Sequence, residues 1–177
     1  MCVIETTPQL QTRRLMLRAP RPTDIDQILA LCGDPDVARM TATLPHPYER
    51  ADAQAFLDRA AFVDPRRELM LLIEHEDHGA IGIIGLHPGP GPLPELGYVV
   101  GRPYWGRGFA TEAVEAALVW AARGWGRRAV LAGHFADNPA SGRVLEKAGF
   151  LYTGEVRAMA CRARGAEVQV RRMAWLA

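Results

Sequence analysis

Apolar and polar positions change period several times along the 177 residues, and the changes mark the expected elements. Arg13–Ala19 (RRLMLRA) partly alternates apolar with basic residues, which suggests a strand closed by the prolines after it. Ile25, Ile28, Leu29 and Cys32 then form one apolar stripe at helical spacing. Thr23 stands where a cap is needed, Asp26 where a capping box would close, and Gly33 at the stop. A second helix is expected within Pro47–Val63, where Ala55, Phe56, Arg59 and Phe62 give the pattern of a helix lying on a surface. Arg67–Glu74 and Ala80–His87 read as strands joined by the hairpin turn HEDHG, and Pro88–Pro94 (PGPGPLP) as an exposed loop. A strand over Glu95–Val100 leads directly to an alanine-rich helix that includes Ala110–Leu118. Ala129–Ala136 is another strand, Pro139–Ala148 a helix, and residues 152–162 and 168–176 a closing pair of strands. The order βααβββαβαββ mixes hairpins with crossovers, so the fold class is α/β (α+β). The expected architecture is one domain over residues 1–177, with a mixed sheet of about seven strands, helices on both faces and no internal repeat.

Composition narrows the functions. Hydrophobic residues make up 49% and charged residues 23%, with 21 basic against 20 acidic side chains, so no global field points to nucleic acid or an anionic membrane. An anionic ligand would have to be held by local donors. Cys2, Cys32 and Cys161 are odd in number and lack CxxC spacing, which argues against a disulfide framework or a zinc site and fits a reducing cytosol. His75 and His78 have HxxH spacing but fall in the expected hairpin turn, so no metal site is assigned. Neither a leader-like N-terminus nor a run of eighteen apolar residues is present, and a soluble, unexported protein is expected.

The helix after Glu95–Val100 begins in an unusual way, with Gly106 and Gly108 flanking Arg107 (WGRGFA). Each glycine costs roughly 0.5–1 kcal/mol relative to alanine, so two within three residues imply either a tight turn or close approach of a ligand to the backbone. Helix N-termini expose unsatisfied N–H groups and attract anions. The amides of Arg107, Gly108, Phe109 and Ala110 could hold a diphosphate through charge-assisted hydrogen bonds worth about 1.5–3 kcal/mol each. Glu112 and Glu115 read as acids near the helix start on its solvent side, with Ala113, Val114, Ala117, Leu118 and Ala121 facing the sheet. The motif is neither GxGxxG nor GxxxxGK[ST], which disfavours dinucleotide binding and nucleotide hydrolysis.

YWGRGFATEAVEAAL (Tyr104–Leu118) resembles the acyl-CoA-binding motif of the GNAT superfamily of N-acetyltransferases, with Trp105 where most members have Gln or Arg. TRRLMLRAPRPTDIDQI near the N-terminus, ELGYVV at Glu95–Val100 and NPASGRVLEKAGF at Asn138–Phe150 are similar to the branch that contains the ribosomal-protein alanine N-acetyltransferases. The resemblance spans nearly the whole chain. It implies acetyl-CoA as co-substrate, without a metal, in a V-shaped opening between the fourth and fifth strands. Backbone groups of Tyr98, Val99 and Val100 would meet the pantetheine; Trp105, Gly106, Arg107, Gly108, Phe109, Ala110 and Thr111 would surround the diphosphate.

The resemblance also implies direct attack by an amine on the thioester. At pH 7 a lysine-like amine costs roughly 4.6 kcal/mol to deprotonate and an α-amine roughly 1.4, so the need for a base depends on the acceptor. Glu95 is the candidate base, acting through a water. Asn138 and Ser141 suit the cap and first turn of a helix. In the resembled branch the asparagine also contacts the cofactor and the serine lies near its sulfur, where Ser141 would donate a hydrogen bond or position that atom. Many relatives carry a tyrosine acid where this chain has Leu145. A thiolate still leaves at a cost of only about 2 kcal/mol. His134 is expected to be packed, with assistance to deprotonation as its other reading. The acceptor is left open between a protein N-terminal α-amine and a small-molecule amine such as an amino acid, polyamine or antibiotic, and a non-catalytic acyl-CoA-binding module is the third reading. Met40–Tyr48 and Met159–Gly165 are the expected specificity segments, and both a monomer and a homodimer are compatible with the sequence.

Overall fold

The computed structural model describes residues 6–89 and 91–177; the sequence readings that involve Cys2 and Pro90 lie outside the described residues. The chain forms β1 (Leu10–Gln11), β2 (Leu15–Arg18), α1 (Ile25–Gly33), α2 (Pro35–Ala38), α3 (Arg50–Ala61), β3 (Leu69–His75), β4 (Gly79–Pro88), β5 (Pro94–Val100), α4 (Phe109–Gly124), β6 (Ala129–Phe135), α5 (Pro139–Lys147), β7 (Leu151–Cys161) and β8 (Ala166–Leu176). The strands make one eight-stranded sheet in the order β1-β2-β3-β4-β5-β6-β8-β7. The strand beyond the expected seven is β1, two residues long and too short to leave a periodicity of its own.

Alternation in the strands sorts side chains onto two faces. Leu69, Leu71 and Ile73 of β3 join Leu96 and Val100 of β5 and Val130 and Ala132 of β6 against α4 and α5. Leu72 and Ala80 face the other way, toward Ile28 and Cys32 of α1 and Ala53 and Leu57 of α3. The α4 surface of Phe109, Ala113, Val114, Ala117, Leu118 and Ala121 is buried as expected, and its small side chains bring the helix close to the sheet.

Local differences from the sequence reading have identifiable causes. Pro22–Asp24 forms a 3-10 turn before α1, so Thr23 caps nothing, and the Asp24 carboxylate accepts from the Arg21 N–H at 2.6 Å. That carboxylate is also held by Arg18 through two bonds of 2.8 and 2.9 Å, a buried pair that Glu74 joins. The Pro88–Pro94 segment is shorter as a loop than expected, because both end prolines continue strands at the ladder pair Pro88↔Pro94. Gly165, at φ +60°, closes the last hairpin, and β8 therefore starts two residues early.

The sheet is antiparallel except between β5 and β6, which run parallel and pair only at Glu95↔Leu131. Beyond that point the strands diverge. On their outer sides β5 pairs with β4 along its full length, and β6 pairs likewise with β8. The V-shaped opening is therefore an interruption inside a continuous sheet, at the position the resemblance implied.

Candidate active site

Two cavities meet at this opening. One, of about 450 Å³, lies against the N-terminal ends of α4 and α5. Of the residues expected around the cofactor, Tyr98, Val99, Val100, Trp105, Gly106, Gly108, Phe109, Ala110, Thr111, Asn138 and Ser141 line it. Arg107 is exposed and does not. The other cavity, of about 520 Å³, lies on the α1/α3 side and contains Glu95. Both reach Met40, Thr41, Tyr98, Val99, Asn138 and Ser141, which form the junction.

The glycine-rich turn is built by backbone geometry. Gly106 and Gly108 adopt φ +75° and +77°, in the left-handed region where a side chain is strained. Gly108 is the N-cap of α4 and no side chain caps that helix, so its first amides face the smaller cavity with the positive end of the helix dipole. By contrast, α5 is capped by Asn138, whose Oδ1 accepts from the Ser141 N–H at 3.2 Å.

Arg14 locks the turn from beneath. It pairs with Glu112 at 2.7 Å, donates to the Arg107 carbonyl at 3.0 Å and lies 4.6 Å over the Phe109 ring. Glu112 is thus not on the solvent side. Burial would raise its carboxyl pKa, but hydrogen bonds from Thr12 and Arg14 outweigh that and hold it below the usual range. Glu115 is exposed as expected. The Trp105 indole N–H donates to the Val100 carbonyl at 2.6 Å, tying the turn to the end of β5.

At the junction the Tyr98 and Ser141 hydroxyls stand 2.8 Å apart, and the tyrosine also reaches the Ser141 carbonyl at 3.3 Å. Burial pushes the Tyr98 phenol up to about 12, against the lowering effect of its bond with Ser141. At neutral pH it is a protonated donor. Sequence reasoning gave Tyr98 only a backbone role; the one available signal was its place between Leu96 and Val100 on the buried face of β5. Leu145, at the position of the relatives' tyrosine, is fully buried.

Glu95 faces the larger cavity, and both its oxygens are taken by the Arg172 guanidinium, Oε2 at 3.0 Å from Nη2. Arg172 is 5% exposed, and the pair spans from β5 to β8. The hydrogen bonds with Glu95 raise the Arg172 pKa further above its ordinary value. Arg172 was missed by sequence reasoning, although its i, i+2 spacing from Val170 placed an arginine on an inward face.

His134 is packed. Its Nδ1 lies 2.8 Å from the Phe135 carbonyl, which can only accept, so that nitrogen carries a proton; Nε2 lies 3.0 Å from the Tyr152 hydroxyl. A Cβ at Gly142 would come within 2.9 Å of both partners, so glycine there permits α5 to sit on this pair. His75 and His78 stack at 4.8 Å in the expected hairpin turn.

The two segments expected to govern specificity come together. Met40, Thr41, Ala42, Thr43, Leu44 and Tyr48 line the larger cavity, as does Met159. The turn after β7 clamps the first of these segments: Arg164 donates to the Arg39 carbonyl at 2.7 Å and pairs with Asp137 at 2.7 Å, and the Arg162 N–H donates to Ala42 at 3.1 Å.

A family model described as an acetyltransferase (GNAT) domain matches residues 14–151, from the arginine beneath the turn through the capped helix α5. The chain belongs to the GNAT acetyltransferase family. An uncharacterized N-acetyltransferase of Bacillus subtilis, YoaA, is 30% identical over 154 residues, covering 85% of this chain and 86% of that protein. Among solved structures, RimL, a ribosomal L7/L12 α-N-protein acetyltransferase in complex with coenzyme A, is similar with a TM-score of 0.81 at 18% identity, over 96% of this chain and 98% of that one. A Vibrio cholerae spermidine N-acetyltransferase in complex with CoA and spermine is similar with a TM-score of 0.76 at 20% identity, over 93% and 96%. This GNAT domain therefore shares its fold with enzymes whose acceptors differ in kind. Among the described residues, no helix is long and apolar enough to cross a membrane.

Proposed function

We propose that the whole chain acts as a single acetyltransferase domain that moves the acetyl group of acetyl-CoA to a primary amine, with a protein N-terminal α-amine as the first acceptor to test. The observation that carries this reading is the junction: a cavity with an uncapped helix N-terminus meets a second cavity at a break in the sheet, beside two paired hydroxyls. The residues fit the co-substrate. Gly106 and Gly108 to Thr111 would hold the diphosphate, and the unpaired edge of β5 would take the pantetheine. Acetyl-CoA supplies an activated thioester.

The amine lone pair forms the N–C bond while the C–S bond breaks with its electron pair going to sulfur; the nitrogen then loses one proton. With Tyr98 as the donor in the bond that the two hydroxyls share, the serine hydrogen is free to turn toward the junction and provide a hydrogen bond for developing negative charge on the thiolate or the carbonyl oxygen. Glu95 receives the amine's proton through water, against the restraint of its bond to Arg172. The buried free thiols of Cys32 and Cys161 support a cytosolic location.

Free-thiol release from acetyl-CoA, measured against small amines and short peptides that begin with alanine, serine or methionine, tests the reading. Glu95→Gln and Ser141→Ala are expected to slow turnover while acetyl-CoA binding persists. Unchanged turnover in both would remove their assigned roles, and silence across the whole panel with binding intact would favour an acyl-CoA-binding module.

A further inference from the structure

The wall of the larger cavity carries an unusual charge balance for a site meant to receive an amine. Among the described residues, Glu95 is its one carboxylate, and it stands with two guanidiniums, those of Arg59 and Arg172. Arg172 occupies both Glu95 oxygens from a buried position. Arg59 turns to Glu68, which also accepts from His87 at 2.7 Å. The remaining wall is largely apolar, with Met40, Met70, Phe56 and Phe135 among its larger side chains, and it also carries His87 and the polar groups of the junction. An ammonium in this space would meet a carboxylate whose charge is already cancelled by Arg172, and a second ammonium on the same molecule would meet Arg59 and Glu68, which are likewise already paired with each other.

We infer that the acceptor is a weakly basic primary amine of the α-amine kind on an apolar body, which reacts from its uncharged form, and that Arg172 sets this preference by neutralising Glu95. This rests on the acetyl-transfer reading above. At pH 7 about one in ten molecules of an amine of pKa near 8 is uncharged, against about one in 2,500 for an amine near 10.4. A cavity that does not stabilise ammonium passes that difference into the rate. Arg172 acts through Glu95 and is a positioning residue; the apolar wall selects the body of the acceptor.

The test compares leucinamide, 3-methylbutylamine and spermidine at pH 7 by thiol release from acetyl-CoA, with the wild type and with Arg172→Gln. In the wild type, kcat/KM for leucinamide is expected to exceed that for 3-methylbutylamine about 200-fold, following the uncharged fractions, with spermidine below both. In Arg172→Gln the Glu95 charge is restored, and the ratio is expected to shrink at least about tenfold, which a purely structural role for Arg172 would not produce. A spermidine or 3-methylbutylamine rate equal to that of leucinamide in the wild type overturns the inference and leaves acetyl transfer standing. So does an unchanged ratio in Arg172→Gln that folds and binds acetyl-CoA. If Arg172→Gln does not fold, the wild-type comparison decides alone. If no amine releases thiol, acetyl transfer fails and this inference with it.

Discussion

Tyr98 on β5 and Ser141 in the first turn of α5, the helix that follows β6, hold their hydroxyl oxygens 2.8 Å apart. The pair ties β5 to the helix after β6, beside the stretch where the two strands have no backbone ladder. Tyr98→Phe deletes one hydroxyl, removes a hydrogen bond worth about 1 kcal/mol and leaves the ring's packing in place. A fall in kcat of about tenfold is expected, with acetyl-CoA affinity changed less than about threefold. Steady-state kinetics with calorimetric titration of acetyl-CoA checks this, and an unchanged kcat would show that the tyrosine oxygen has no part in turnover.

Gly108 caps α4 at φ +77°, with Arg14 Nη2 3.5 Å from the place a Cβ would take. Space is available and conformation is the obstacle, so Gly108→Ala is expected to cost about 1–2 kcal/mol. Either the protein loses that much stability or the turn relaxes and acetyl-CoA binding weakens by about tenfold. Thermal denaturation with and without acetyl-CoA separates the two. A variant equal to wild type in both would contradict the need for glycine at this cap.

Arg18 is buried between Asp24 and Glu74, away from the cavities. Loss of such a partner typically costs about 3–5 kcal/mol, so Arg18→Met is expected to lower the melting temperature strongly while residual folded protein keeps its KM. Burial raises the Asp24 carboxyl pKa, but bonds from Arg18 and the Arg21 backbone bring it below its ordinary value; Arg18 does the same for Glu74. Both groups have depressed folded values, so their contribution is present above about pH 5 and fades as pH falls through about 4 and below. The gap in stability between wild type and Arg18→Met should narrow between pH 6 and pH 3 in denaturant titrations; a widening gap would reverse the sign of this coupling.

Arg164 fastens the Arg39 carbonyl to Asp137, beside the residues that line both cavities. Arg164→Ala frees that segment at a cost of about 1–3 kcal/mol for the unpaired groups. The acceptor KM is expected to rise about fivefold or more with kcat nearly constant, since the change loosens binding and leaves the hydroxyl pair untouched. Initial-rate kinetics in both substrates decides; a selective loss of kcat would assign the clamp to the chemical step.

What was legible in the sequence depended on how locally each feature is encoded. Gly106, Gly108 and the small-residue face of α4 are properties of one short stretch, and periodicity with glycine placement exposed them. Asn138 and Ser141 were found the same way, as a cap and its partner. Tyr98, Arg172 and Arg14 are different. Each works through a partner far along the chain, Ser141, Glu95 and Glu112 respectively, and a pattern of neighbours carries no information about such pairs. The short β1 and the 3-10 turn before α1 were missed because tertiary contacts and the Arg18–Asp24 pair decide them.

The single parallel pair also has a meaning for stability. An open strand edge normally invites other chains, and proteins hide or blunt such edges at the rim of a sheet. Here the edge lies inside the molecule, between β5 and β6, walled by helices and by the Met40 segment. Only a slender, extended molecule with amide groups at suitable intervals can lie along it. Substitutions that zipped the two strands together would add ladder hydrogen bonds and yield a sturdier protein without the opening in which we propose that acetyl-CoA sits. Selection for thermal stability alone is therefore expected to work against this gap, and its survival in a variant library, read by acetyl-CoA binding, would measure how strongly function holds it open.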